Sequence, residues 1–417
     1  MDIGIRRNDT LKSGRIGISD ILAMYVLIWS VTPIMASGTI YRVVLVLCVA
    51  SWMLIHFNYL RYKSNMVILI CLLLASTFVL RTIYGGISHG ISWTINIAIY
   101  SIIALIGSYY LEVKCENVRS ILIMIMICTA IISVISIQTV IADPTALRIA
   151  THEWSEGANH YGAYDYVYMC VQGFPFFFLV LRVKALRDGD KLWTVMVIVS
   201  LVLSGTLIIL SGFTLANIIS LVAILMCILF INPSTKKTLT IVFVGLIVAL
   251  TYKFILTRVF EFLALITSNS PMYTRKIMDL SNQLLYGTGV GSTYSDRVTR
   301  YLASWQAIAR YPFMGSILWS GSIVCGGHST LVDVMAYGGV FYALLYYWQM
   351  IIFTTKQITK NCVFRKMARL IAVVFLTTCL LTGLFDTLTY ANAWIWFLLI
   401  PYLAKRYSIR LSEEELL

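Results

Sequence analysis

Residues 192–231 read LWTVMVIVSLVLSGTLIILSGFTLANIISLVAILMCILFI. These roughly forty residues are mostly apolar and are interrupted mainly at Ser211-Gly212. One membrane crossing takes about 20 apolar residues, so the stretch holds two, provided the chain turns tightly at Ser211-Gly212. The rest of the chain repeats the pattern. Hydrophobic residues make up 59% of it and charged residues 12%, with a mean hydropathy of +0.84, whereas soluble proteins carry about 25% charged residues. The apolar runs are continuous over about 20 residues instead of alternating with period two, which sets aside a β-barrel. The expected fold is an all-α polytopic membrane protein of about twelve spans. They are 17–36, 39–58, 66–84, 92–110, 119–141, 161–181, 192–210, 213–231, 238–256, 329–353, 368–386 and 389–404.

Charge predicts the orientation. The net charge of +13 does not point to nucleic acid, because most of it sits in short loops between spans. With both termini cytoplasmic, 22 of the 32 basic residues fall on the inner side, including Lys63, Lys114, Arg119, Lys356, Lys360, Lys366 and Arg406. That is the positive-inside pattern. The first run follows a basic tail (Arg6, Arg7, Lys12, Arg15) and is long enough to be a retained span rather than a cleaved signal. Nine cysteines are scattered, with no Cys-x-x-Cys pair and no Cys/His cluster of metal spacing. Neither a metal nor a cofactor is expected.

The ten remaining basic residues fall outside, and eight are arginine: Arg42, Arg81, Arg148, Arg258, Arg275, Arg297, Arg300 and Arg310. Topology does not require arginine over lysine, but bidentate binding of phosphate or carboxylate does. Most of these arginines lie in one long insertion, about 257–328, between a bundle of nine spans (1–256) and a closing bundle with a cytoplasmic tail (329–417). Within it, DRVTRYLASWQAIARY (296–311) carries Val298, Leu302, Trp305, Ile308 and Ala309 at helical spacing. The spacing predicts an amphipathic helix at the outer interface, capped by Ser295 or Asp296 and ended by Pro312. A second outer loop, 142–160, carries Arg148, His152, Glu153 and Glu156. These, with Arg258 and Arg310, read as ordinary solvated loop charges.

The insertion closes on Tyr311-Pro312-Phe313-Met314-Gly315 and runs through Gly326-Gly327-His328-Ser329 and Asp333 to Tyr337-Gly338-Gly339. This pattern resembles the O-antigen polymerase and O-antigen ligase superfamily of bacterial membrane glycosyltransferases. The resemblance covers about fifty residues by motif, and the rest only by topology. It implies an inner-membrane enzyme with a periplasmic active site. The donor would be an undecaprenyl-diphosphate-linked glycan and the acceptor a sugar hydroxyl, without nucleotide sugar or metal. It also brings a chain-length regulator membrane protein as a partner besides the bilayer. Arg297 matches the loop arginine that holds the donor diphosphate, and His328 the loop histidine near the reaction centre, either as base or as diphosphate donor.

The chain departs from that pattern at the start of the eighth span. Many members carry an arginine there, where this chain reads Leu210-Ser211-Gly212-Phe213. Arg81, Arg275 and Arg300 are the outer arginines left for that role, and Asp333 and Asp386 are candidates for orienting side chains. The expected activity is polymerisation of lipid-linked repeat units into O-antigen or capsule-type chains. A ligase moving finished chains onto lipid A-core is the alternative. A flippase of lipid-linked sugars is a third class, disfavoured because the span centres are nearly free of charge.

Overall fold

The computed structural model describes residues 16–142, 164–187, 190–211, 213–231, 292–316, 329–386, 388 and 390–414, with isolated positions between 261 and 278. It is helical, and no strand occurs among the described residues. We number the helices α1 (Ile18–Val31), α2 (Thr39–Ile55), α3 (Ser64–Ile83), α4 (Gly85–Glu112), α5 (Cys115–Ala142) and α6 (Tyr164–Arg182). Then follow α7 (Lys191–Leu210), α8 (Thr214–Ile231), α9 (Ser292–Arg310), α10 (Thr330–Asn361), α11 (Arg365–Phe385) and α12 (Ile400–Glu414). Six of them, α3, α4, α5, α7, α10 and α11, are long and apolar enough to cross a membrane. The turn expected at Ser211 separates α7 from α8. The ninth predicted span, 238–256, lies outside the described residues.

Two predicted boundaries are corrected, and both corrections have the same cause. The outer loop expected at 84–92 is helical. Lys63 and Glu112 nevertheless form an ion pair of 2.9 Å, although a straight helix between them would be about 70 Å long. α3 and α4 therefore run antiparallel, and the reversal is made at Gly86, whose φ is +82°. The arms close tightly above it: a Cβ on Gly90 would lie 2.0 Å from Thr82 Oγ1. The predicted span 329–353 is likewise not one rod. Tyr347 donates its hydroxyl to the Leu331 carbonyl, sixteen residues away, where a straight helix would separate them by about 24 Å. α10 folds back at Gly339 (φ +73°), giving a short arm, 330–338, and a long arm, 340–361. An L-residue is strained at such φ values, whereas glycine adopts them freely.

The charges sort to one end of the bundle. Lys63 and Lys360 hold Glu112, Lys114 holds Asp20 at 3.3 Å, and Arg119 and Arg406 hold Asp190. Lys405 and Arg406 also donate to the carbonyls of Leu111 and Leu186, each at 2.9 Å. The basic members are among those predicted for the inner side, and the structure gathers them into one charged end. The glycine reversals mark the opposite end.

Asp190 is the joint of this charged end. It caps α7 by accepting from the Trp193 amide (3.0 Å), and it faces an Arg406 side chain only 1% exposed. Burial pushes its carboxyl up, but the bonds from Arg119 and the Trp193 amide, with the Arg406 charge, hold it below the ordinary carboxylate range. A depressed carboxyl stabilises above its unfolded pKa of about 3.9 and loses that contribution as pH falls towards its folded pKa. Asp190→Asn strands buried Arg406, which predicts a loss of about 3 kcal/mol. The Tm of the detergent-solubilised variant should be lower at pH 7 and should fall less than the wild type's between pH 6 and 3.

Candidate functional site at the glycine-turn end

Residues 311–316 follow α9 as a tight turn. Pro312 stops the helix, and Gly315 (φ +77°) bends the chain back. The turn docks on the α10 reversal chiefly through backbone, joined by the Ser316 hydroxyl, which donates to the Ala336 carbonyl at 3.0 Å. Val340 N–H donates to the Pro312 carbonyl (2.8 Å), and Ser316 N–H donates to the Ala336 carbonyl (3.0 Å). The approach leaves no room for side chains. A Cβ on Gly315 would lie 2.0 Å from the Tyr337 oxygen, and one on Gly339 would lie 2.2 Å from the Phe313 oxygen. The two motifs, Tyr311–Gly315 and Tyr337–Gly339, are thus one interlocked unit.

α9 lies against the short arm of α10 through small residues. Ser304 (0% exposed) donates to Asp333 Oδ1 at 2.6 Å, and Ala307 packs on Ala336 and Tyr337. Asp333 Oδ2 accepts the Ser329 amide at 3.1 Å, while Ser329 Oγ caps the helix by accepting the Val332 amide. Both carboxylate oxygens of Asp333 are thus engaged in tying α9 to the start of α10. Thr330 is tied in turn to the end of α11, donating its N–H to the Asp386 carbonyl at 3.1 Å. The predicted helix begins earlier than expected, at Ser292, so neither Ser295 nor Asp296 caps it. Leu302 (55%) and Trp305 (56%) are exposed, with Phe313, Met314 and Phe341 beside the same turn. Ser304 and Ala307 face the short arm of α10, with Ile308 half-buried beside them.

Arg81 sits on α3 five residues before Gly86 and is 7% exposed. Its guanidinium lies 3.8 Å from the Trp93 ring centroid and 4.5 Å from that of Tyr337. No carboxylate among the described residues pairs with it. Contacts between a desolvated guanidinium and an aromatic ring are worth about 2 kcal/mol or more. The rings carry no formal charge, so these contacts stabilise the cation without neutralising it. His89 is one turn before Trp93, with ring centroids 6.2 Å apart. Beside the site, the Thr77 and Tyr342 hydroxyls are 3.1 Å apart, joining α3 to the long arm of α10.

Of the predicted site residues, Arg81 and Asp333 are therefore held on one interlocked unit. Arg300 is exposed on α9. Arg297 is on α9 about two turns before Ser304, with its side chain outside the described residues. His328 and Arg275 also lie outside them, although Ser329, the next residue after His328, is buried and bonded to the Gly383 carbonyl at 3.2 Å. Trp93 was not singled out by sequence, and Tyr337 only as part of the Tyr337-Gly338-Gly339 motif, without a role at Arg81. Their one local signal is nearness to the glycine pairs Gly85-Gly86 and Gly338-Gly339.

No protein-family model matches the chain, and no curated protein matches it either.

The interlock predicts that Gly315→Ala and Gly339→Ala each cost more than about 2 kcal/mol, through a positive φ and a backbone clash. Trypsin cleavage after Arg300 and Arg310 should accelerate in both variants. Wild-type Tm together with wild-type cleavage would show that the turn does not dock as described.

Proposed function

We propose that this chain is a membrane glycosyltransferase that polymerises undecaprenyl-diphosphate-linked repeat units, with Arg81 as a diphosphate ligand. The observation that carries the reading is a nearly buried arginine, unpaired with any carboxylate among the described residues, whose guanidinium lies over two aromatic rings beside the docked α9. A solvated or structural arginine has no need of such a setting, whereas an anion site requires a fixed, available cation. Arg81 then fills the role left vacant at the start of α8, and Arg297 and Arg300 bring further positive charge on α9. The glycine-turn end faces the periplasm, and both termini are cytoplasmic. The exposed Leu302, Trp305 and Phe313 lie in the outer leaflet, where the carrier lipid is also found.

The reaction balances simply. An acceptor sugar hydroxyl forms a bond to the anomeric carbon, the bond from that carbon to the diphosphate oxygen breaks, and the electron pair leaves with the lipid diphosphate. The hydroxyl proton goes to a base, for which His328, with an unperturbed pKa of about 6.5, is suited. Negative charge grows on the leaving group, so a preorganised guanidinium stabilises the transition state more than the ground state. Asp333 is a positioning residue, fixing α9 and the start of α10. Arg81 lies near the bundle end and not at mid-span, which favours surface chemistry over passage of substrate through the bundle.

Arg81→Ala should slow chain lengthening about 100-fold, equivalent to about 3 kcal/mol, at unchanged membrane levels, and Arg297→Ala and His328→Ala should abolish it. Normal long-chain polysaccharide from Arg81→Ala would sink the assignment. In a deletion strain, a core carrying one repeat unit means polymerase, long chains stranded on the carrier mean ligase, and absence of periplasmic repeat units means flippase.

A further inference from the structure

At the charged end, far along the bundle from Arg81, a cleft of about 500 Å³ opens between α3 and the long arm of α10. Lys63, Asn65 and Leu69 line one wall, and Trp348, Lys356 and Gln357 the other. α3 leaves the charged end from Ser64 onward, while α10 arrives there at Asn361. The two lysines therefore stand at the rim, and Leu69 and Trp348 lie deeper.

Charge at the rim is unbalanced. Glu112 is held by Lys63 at 2.9 Å and Lys360 at 2.8 Å. Lys356 is exposed, and no carboxylate among the described residues pairs with it. Two cations thus hold one carboxylate, and Lys356 adds a third positive charge at the rim. Below the rim Met66, Leu69, Trp348 and Phe353 line the cleft together with the polar Ser108 and Gln357. Leu72 (52% exposed) continues the Leu69 face one turn deeper on α3, and Ile352 (42%) does the same below Lys356 on α10. The π-helical turn Trp348–Ile352 falls in this wall, and such bulges recur at functional sites. Tyr62 supplies an amphipathic aromatic of the kind favoured at a membrane interface.

A cationic rim with exposed apolar residues, Leu72 and Ile352, along the same two helices matches an anionic phosphodiester carried on hydrocarbon chains. We propose that this cleft binds the headgroup of an anionic phospholipid from the leaflet at the charged end. Lys63 and Lys356 meet the phosphate, and the acyl chains lie along Leu69, Leu72 and Ile352. The site is separate from the one assigned to glycosyl transfer and does not depend on that reading.

The test is a thermal-shift titration of the purified full-length protein in a neutral detergent. Phosphatidylglycerol, phosphatidylcholine and inorganic phosphate are the probes. Phosphatidylglycerol should raise Tm saturably, and the other two should not. Lys356→Glu reverses one charge at the rim and should weaken the apparent affinity about thirtyfold, whereas Lys366→Glu, the same change elsewhere at that end, should leave it unchanged. Leu69→Trp, which fills the floor and keeps both lysines, should also weaken binding, and it decides the matter if Lys356→Glu does not fold. An equal shift with inorganic phosphate, equal losses in Lys356→Glu and Lys366→Glu, or undiminished binding in Leu69→Trp would each overturn the proposal.

Discussion

Two glycines hold the glycine-turn end together. Gly315 faces the Tyr337 carbonyl and Gly339 faces the Phe313 carbonyl, at distances that exclude any side chain. Because the contact is mostly backbone on backbone, it fixes orientation as well as proximity: two backbone hydrogen bonds and one from the Ser316 hydroxyl set the register of α9 against α10. Asp333, Ser304 and the alanine contact extend the clamp along α9. Tyr337, adjacent to the reversal, is thereby fixed where its ring meets Arg81. The placement of the cation thus follows from the packing of two glycines.

The ends of the bundle treat charge in opposite ways. At one end, Glu112, Asp20 and Asp190 each meet at least one cation, and several are partly buried, so the charges satisfy one another. At the other end, Arg81 is supported by aromatic faces, which stabilise a cation without neutralising it. Burial without a counter-charge is costly unless something supplies one, and an anionic ligand would do so. That contrast is the physical basis for looking for chemistry at the glycine-turn end and for architecture, with a lipid contact, at the charged end.

Much of the fold was legible because lipid imposes a simple code. Runs of about twenty apolar residues marked the helices, the lysines and arginines between them marked the charged end, and Ser211 marked a real turn. The division between α3 and α4 was legible as the gap between two predicted spans, although not that one glycine, Gly86, makes the turn. The reversal at Gly339 was not legible, because a turn made by one glycine needs no polar loop and this one falls inside the predicted span 329–353. On α9 the periodicity located the helix, but not its contact with α10, which Ser304 and Ala307 make because close helix approach favours small side chains. Arg81 was picked out as a charge at the end of an apolar run. Its partners were hidden, since Trp93 and Tyr337 reach it only through tertiary contacts.

The central claim is that Arg81 is an anion ligand held ready by its two aromatic neighbours. Its most direct test is equilibrium binding of a polyprenyl diphosphate to the purified protein, comparing wild type with Arg81→Gln at matched Tm. The account predicts binding weakened about 100-fold, as for loss of one charge-assisted bidentate contact worth about 3 kcal/mol. Equal affinity in the two proteins would contradict it.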